Sequence, residues 1–270
     1  MQVSIRMDKF IGQQHIIEYI QRKKRDTFPR SLILLGPDGC GKHSVVNMIG
    51  EKFQLPVVDI SEQLSFEFIL QLQERPEPSI YILEADKLTI KNQNMILKFI
   101  EEPLKNAFII VIAETANQLL ETVYNRCQKL TFLPYTEEEL KQFTDNELVL
   151  TIAETPGQIQ TMLDNDFEGM LLLAGKMVNK LAEANIANVL TISDKFAYKK
   201  EKDKFDLKVF ARIWIYILKT KIENEPNCSP KYFDYYCLVK EWNVKRKAPT
   251  ISQKFLLENY LVKLHNLMRS

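Results

Sequence analysis

The sequence has few cysteines, and they are not spaced as metal ligands. Cys40, Cys127, Cys228 and Cys237 include no C-x-x-C pair. Zinc modules and disulfide frameworks need closely spaced or paired cysteines, so neither is indicated and we expect four reduced thiols. The three histidines have no metal-ligand spacing either, and no metal site is predicted.

An excess of one charge and long hydrophobic runs are also missing. The 36 Lys and Arg residues nearly balance the 35 Asp and Glu residues, for a net charge of +1. Any contact with nucleic acid must therefore come from a local patch. The start of the chain has no apolar signal segment, and runs such as 108–113 are far shorter than the ~20 residues of a bilayer span. We expect a soluble, cytoplasmic protein without membrane contact.

Between residues 31 and 132, short apolar segments alternate with helix-favouring ones. This order predicts a parallel sheet with helices on both faces, because βαβ units cover such hydrophobic strands. The predicted strands are residues 31–35, 55–60, 79–83, 107–113 and 129–132.

After Pro134 the pattern becomes helical. Thr136 and Glu139 form a capping box that predicts a helix start, and no convincing strand follows. Two apolar faces at helical spacing are predicted to lie in the core, with a face for a partner as the alternative: Leu207, Phe210, Ile213, Trp214, Ile217 and Leu218, and Phe255, Leu256, Tyr260, Leu264, Leu267 and Met268. Linkers are predicted near residues 195–205 and 224–231, and the length suffices for two or three domains.

The segment Gly36-Pro-Asp-Gly-Cys-Gly-Lys-His-Ser44 has the layout of a phosphate-binding loop. Such a loop surrounds phosphate with backbone N–H groups and a lysine, and the candidate binding residues are Gly36, Gly39, Gly41 and Lys42. His43 stands where a Ser or Thr hydroxyl would ligate Mg²⁺. Ser44 cannot substitute, because one helical step rotates a side chain by ~100°. A tight turn without any ligand stays an open alternative.

The second magnesium support of an ATPase site is missing as well. The strand at 79–83 should end in an aspartate, but Leu83 stands there, followed by Glu84 and Asp86. Without metal, these two acids are expected to be a strand-end and a helix-cap residue. Loss of the hydroxyl and the carboxylate together removes electrostatic stabilisation on which phosphoryl transfer depends.

Three further segments resemble motifs of the bacterial clamp-loader subunits of the AAA+ class. They are Glu84-Ala-Asp-Lys-Leu-Thr89, Asn92-Gln-Asn-Met-Ile-Leu-Lys-Phe-Ile-Glu-Glu-Pro103 and Asn125-Arg-Cys127, with Phe10-Ile-Gly-Gln-Gln14 upstream. The resemblance spans residues 10–132 and is strongest to the delta prime subunits of DNA polymerase III, whose own nucleotide site is typically defective. The family's four-cysteine zinc module is absent, and Gln160 stands where the lid arginine called sensor 2 would be.

The resemblance implies a fold, a function and partners. The fold would be α/β plus all-α: an AAA+ domain at 1–134, a helical lid at 135–166 and a C-terminal helical collar at 167–270. Arg126 would project into a neighbouring subunit's ATP site; a surface ion pair with an acid such as Glu121 is the plain alternative. Partners would be clamp-loader ATPase subunits, the delta subunit, the sliding clamp and primed DNA. No cofactor would be required, with passive binding of nucleotide or phosphate left open.

Two other functions remain open. An active AAA+ ATPase would use His43 or Ser44 in an unusual metal site. A nucleic-acid-binding adaptor would use basic runs such as 22–25 and 245–247, or Lys98, although no aromatic platform interleaves these runs.

Overall fold

The computed structural model describes residues 10–65, 67–68, 71, 77–102, 107–197, 205–225, 230–246 and 252–270. It divides into two compact units. The first comprises residues 1–142 with 155–157, and the second comprises 143–154 with 158–270. The division into three domains at 134 and 166 stays a prediction.

The first unit is built on five strands, and their predicted positions are confirmed. They are β1 (Ser31–Leu35), β2 (Val57–Asp59), β3 (Ser79–Glu84), β4 (Ala107–Ala113) and β5 (Gln128–Thr131). Every described pairing is parallel, in the order β2-β3-β4-β1-β5. The carboxyl ends of all five strands therefore meet at one edge of the sheet, where ligand sites of α/β folds form.

Helices cover both faces of this sheet because its strands are apolar on both sides. The helices are α1 (Gln14–Arg22), α2 (Lys42–Phe53), α3 (Ile90–Glu101), α4 (Glu121–Arg126) and α5 (Glu137–Leu140). Along β1, Leu32 and Leu34 join one core cluster with α1 and α2, and Ile33 and Leu35 join the other with α3 and α4. The α/β prediction is confirmed.

The residue before α1, Gln13, connects this helix to the segment that follows β5. Gln13 Nε2 donates to the carbonyl of Leu133 at 2.7 Å, and the Leu133 N–H donates to Gln13 Oε1 at 2.8 Å. Gln13 is buried and adopts a φ of 54°. At the same junction, the predicted Thr136–Glu139 capping box is formed.

The described part of the second unit is helical. Its helices are α6 (Glu147–Ile152), α7 (Pro156–Asp164, which begins in the first unit), α8 (Phe167–Lys180), α9 (Ile186–Leu190), α10 (Asp194–Ala197), α11 (Leu207–Asn224), α12 (Pro230–Lys245) and α13 (Gln253–Arg269). The predicted linkers lie partly outside the described residues. Among the described residues, no helix has the length and apolarity to cross a bilayer.

Aromatic side chains form the core of this unit. Trp214 lies 5.9 Å from Tyr235 and 5.7 Å from Trp242 between ring centroids, and all three are fully buried. On α13 the predicted inward position of Phe255 is wrong, because its side chain is 71% exposed. The buried face of α13 is formed by apolar residues that recur about one turn apart. They are Leu256, Leu257, Tyr260, Leu261 and Leu264.

Candidate functional site

The loop between β1 and α2 keeps the backbone shape of a phosphate loop. Gly39 and Gly41 have φ values of 78° and 95°, a region that L side chains rarely adopt. A Cβ on Gly41 would also lie 2.6 Å from the Phe10 ring. The strand, loop and helix arrangement predicted for this segment is therefore present.

The Lys42 side chain turns back into its own loop. Its Nζ donates to the carbonyl of Gly36 at 2.5 Å and to that of Pro37 at 2.7 Å, and it lies 3.8 Å from Cys40 Sγ. The residue is only 8% exposed. The ammonium group thus donates hydrogen bonds to carbonyls of its own loop. In a phosphate-binding loop, the same group would neutralise the charge of the bound phosphate.

His43 and Glu84 contact each other at the carboxyl edge of the sheet. His43 Nε2 lies 3.0 Å from Glu84 Oε1, and Lys87 Nζ lies 2.9 Å from Glu84 Oε2. The hydrogen bond to Glu84 raises the pKa of Lys87 above its ordinary value. Both oxygens of the carboxylate are therefore engaged by protein groups.

These residues do not fit a magnesium ion. The metal prefers oxygen ligands, but an imidazole holds the hydroxyl position and an ammonium group pairs with the acid. Leu83, at the expected aspartate position, is 1% exposed and belongs to the core cluster of α3 and α4.

A second hydrogen-bonded group supports Glu84 from β2. Ser61 donates from its N–H at 2.9 Å and its hydroxyl at 2.5 Å to Asp59 Oδ1, and it accepts the Glu84 N–H at 2.8 Å. Burial alone would raise the pKa of Asp59. The two Ser61 hydrogen bonds and the charges of Lys87 and His43 more than offset that effect and lower it.

The segment Thr155–Gly157 packs directly on the phosphate loop. The Thr155 hydroxyl donates to the carbonyl of Asp38 at 2.8 Å, and the Gly157 N–H donates to that of Gly39 at 2.9 Å. A Cβ on Gly157 would lie 2.6 Å from the Gly39 Cα, so only glycine fits. In the second unit, Gln160 Nε2 donates to Asp164 Oδ1 at 2.9 Å.

Arg126 is the last residue of α4, and its guanidinium group has two partners. Its Nε lies 2.6 Å from Glu101 Oε1, at the end of α3, and its Nη1 donates to the carbonyl of Thr122 at 3.1 Å. The side chain is 44% exposed. Arg126 thus forms a surface ion pair, as the plain alternative expects. The acid is Glu101, whereas Glu121 was the example predicted from the sequence. The next residue, Cys127, is buried, which raises its pKa to about 11.

Arg126 and the phosphate loop lie toward opposite edges of the sheet. Gln128, at the start of β5, pairs with Leu32 near the amino end of β1, and the loop begins only at Gly36. Four residues of strand at ~3.3 Å each separate these levels by about 13 Å. Arg126 precedes Gln128, and its guanidinium group contacts Glu101 at the end of α3, so none of its recorded contacts is with its own loop.

Several residues of the basic runs have partners within the protein. Arg22 pairs with Glu18 at 3.1 Å, Lys23 lies over the Tyr19 ring, and Lys245 pairs with Glu241 at 2.5 Å. Exposed pairs of this kind are typical of solvated helix ends. Position 247 and Pro103 of the E-E-P segment lie outside the described residues, and contact with DNA stays a prediction.

Known proteins resemble part of this chain in sequence. A family model described as DNA polymerase III, delta subunit, matches residues 48–136. The DNA polymerase III subunit delta prime of Bacillus subtilis is 30% identical over 125 residues, covering 46% of this chain and 32% of that protein. Replication factor C subunit 3 of Saccharomyces cerevisiae is 24% identical over 160 residues, covering 53% and 47%. The matched region thus spans less than half the length of these relatives.

A solved structure resembles the fold over nearly the whole chain. It is a DNA polymerase III gamma subunit-related protein from Thermotoga maritima, with a TM-score of 0.53 and 14% sequence identity. The alignment covers 95% of this chain and 99% of that one. At this identity the likeness speaks for the arrangement of sheet and helices alone.

Proposed function

Because the chain belongs to the clamp-loader family of AAA+ proteins, we propose that it is a non-hydrolysing subunit of the delta prime type. It would assemble with clamp-loader ATPase subunits and a delta subunit, and would help to load the sliding clamp on primed DNA. Arg126 would act in trans, at the ATP site of a neighbouring subunit.

The position of Arg126 carries this proposal. Its guanidinium group lies beyond the amino end of β5, whereas the phosphate loop lies at the carboxyl edge of the same sheet. A guanidinium group there cannot serve its own loop, but it is half-exposed and therefore accessible to a neighbour. In such a site it would stabilise charge developing on the transferred phosphoryl group.

The state of the loop supports the absence of hydrolysis by this subunit. Lys42 bonds the loop carbonyls, Glu84 is paired with Lys87, and Leu83 is buried in the core. Hydrolysis needs these positions for phosphate, metal and water. The subunit would thus contribute structure and one arginine, with no cofactor of its own required.

The experiment is ATP turnover by a clamp loader reconstituted with Arg126→Ala. We expect DNA-stimulated turnover to fall at least about tenfold, since in-trans arginines contribute 10³-fold or more at the site they serve. Lys141→Ala is the control, because it removes an exposed ion pair with Glu137 in the same unit. Unchanged turnover with Arg126→Ala would overturn the in-trans role.

Titration of the isolated chain with ATP tests the alternative of an active ATPase. We expect no binding that depends on Mg²⁺, because the residues at the metal position are His43, Leu83 and a paired Glu84. Tight, magnesium-dependent binding would favour the active enzyme instead. Salt-sensitive DNA binding by the isolated chain would favour the adaptor.

A further inference from the structure

We propose that Glu101 is a positioning residue that orients Arg126 toward the neighbouring subunit. The inference rests on the proposed function of Arg126, and it assigns a role to the E-E-P segment. Glu101 ends α3 and Arg126 ends α4, so the ion pair at 2.6 Å joins the ends of two helices.

The two contacts of Arg126 leave one side of its guanidinium group for a ligand. The group has five N–H bonds in a fixed plane. The Glu101 carboxylate forms an ion pair at Nε, and the Thr122 carbonyl accepts a hydrogen bond from Nη1, so the group is held by protein contacts at two of its three nitrogens. Among the described residues, Nη2 has no hydrogen-bond partner, and one of its protons together with the second proton of Nη1 forms the pair that can bind phosphate bidentately.

A buried amide holds the other ends of the same two helices together. Gln93, in the first turn of α3, is 5% exposed. Its Nε2 donates to the carbonyl of Gln118 at 2.9 Å, and its Oε1 accepts the N–H of Leu120, the residue before α4, at 2.6 Å. The two helices therefore contact at both their starts and their ends, and Glu101 reaches Arg126 from a fixed support.

The exposure of the pair sets the size of the expected effect. The Arg126 and Glu101 side chains are 44% and 49% exposed, and exposed pairs change an equilibrium by about two- to fivefold. A two- to fivefold change is too small for an ion pair that keeps the arginine in an inactive conformation. It is adequate for a support that limits the rotamers of a long side chain.

The orientation itself is measurable in the isolated full-length chain. The Arg126 Nε–H signal in ¹H–¹⁵N NMR should exchange slowly with water in the wild type and about two- to fivefold faster in Glu101→Ala. Glu101→Gln should exchange as fast as Glu101→Ala, because the contact is an ion pair and this substitution removes the charge of the carboxylate. Glu102→Ala, which removes the adjacent exposed carboxylate, is the matched control. Equal exchange in the wild type and Glu101→Ala would overturn the pairing.

The consequence is measured in the reconstituted loader. Glu101→Ala and Glu101→Gln should both lower kcat about two- to fivefold with little change in KM for ATP, because both remove the charge that pairs with Arg126, while Glu102→Ala retains kcat. In the Arg126→Lys background, which lacks the Nε donor, Glu101→Ala should have no further effect. A higher kcat in Glu101→Ala would mean that Glu101 restrains Arg126 instead of orienting it. An unchanged kcat would mean that Glu101 neither orients nor restrains Arg126. Either result would overturn the proposal.

The two proposals fail in different ways. If Arg126→Ala leaves turnover unchanged, the in-trans role itself is wrong, whatever the NMR signal shows. If Arg126→Ala lowers turnover and Glu101→Ala does not, the arginine acts in trans without support from Glu101.

Discussion

The phosphate loop and the Arg126 end of the sheet use their charged groups in opposite ways. At the loop, Lys42 is buried and bonds backbone carbonyls, and Glu84 has a protein partner on each oxygen. At the other edge, Arg126 is half-exposed and keeps part of its hydrogen-bonding capacity. At one edge of the sheet, the charged groups thus have partners within the protein. At the other edge, one arginine is half-exposed to solvent.

This contrast separates stability from function. Substitutions at the loop should change the free energy of unfolding, because they remove internal hydrogen bonds. Substitutions at Arg126 should change turnover in the complex while leaving the fold intact, because exposed ion pairs contribute little to stability. Three predictions test this difference.

The largest effect is expected for Leu83→Asp, which restores the missing carboxylate. The side chain is 1% exposed in an apolar cluster, so the charge would be buried without a partner. We expect a loss of about 3 kcal/mol or more in the free energy of unfolding, measured with urea. Leu83→Met is the control and should cost less than about 1.5 kcal/mol. If Leu83→Asp were stable and bound Mg-ATP, the loop would be a nearly intact nucleotide site.

A smaller effect is expected for Lys42→Ala. Removal of the ammonium group leaves the Gly36 and Pro37 carbonyls without that donor, which should cost about 1–3 kcal/mol in unfolding free energy. Turnover of the reconstituted loader should stay within about twofold of the wild type. Arg126→Ala, measured in parallel, should show the reverse: near-normal stability and low turnover. A large loss of turnover with Lys42→Ala would show that the loop binds nucleotide in the working complex.

The smallest effect concerns pH and the Lys87–Glu84 pair. The pKa of Lys87 is raised above its ordinary 10.5 in the folded protein. Stabilisation by the pair is therefore fully present below pH 10.5 and is lost as the pH rises through the folded value. Lys87→Met should lower the free energy of unfolding at pH 8 by less than about 1 kcal/mol, which is measured as a lower Tm. The difference in Tm between the variant and the wild type should shrink toward pH 11. Lys91→Met, at an exposed position of α3, should show no such trend.

The order of apolar segments predicted the sheet well because its central strands, β1, β3 and β4, are mostly apolar. The segments at 31–35 and 107–113 are buried along their whole length, which only a sheet covered on both faces allows. The position of Phe255 was mispredicted because α13 offers more apolar residues than one face can hold. Helical spacing alone does not select which of them faces the core.

The contacts within the candidate site were harder to predict than its members. His43 and Glu84 are 41 residues apart, and their contact arises because β1 and β3 end at the same edge. The nearness of His43 and Glu84 follows from the parallel topology. The ion pair between Lys87 and the Glu84 carboxylate does not follow from it. The pairing of Arg126 with Glu101 depends on how α3 and α4 pack, for which the sequence between them has no local signal.

The Gln13 side chain has a consequence for the order in which the protein folds. By bonding both the N–H and the C=O of Leu133, it imitates one rung of a β-ladder across 120 positions of sequence. At ~5–20 residues per second, a ribosome needs roughly 6–24 s to synthesise that stretch. The two bonds of Gln13 can therefore form only after residue 133 has been synthesised, when all five strands of the sheet are already part of the chain.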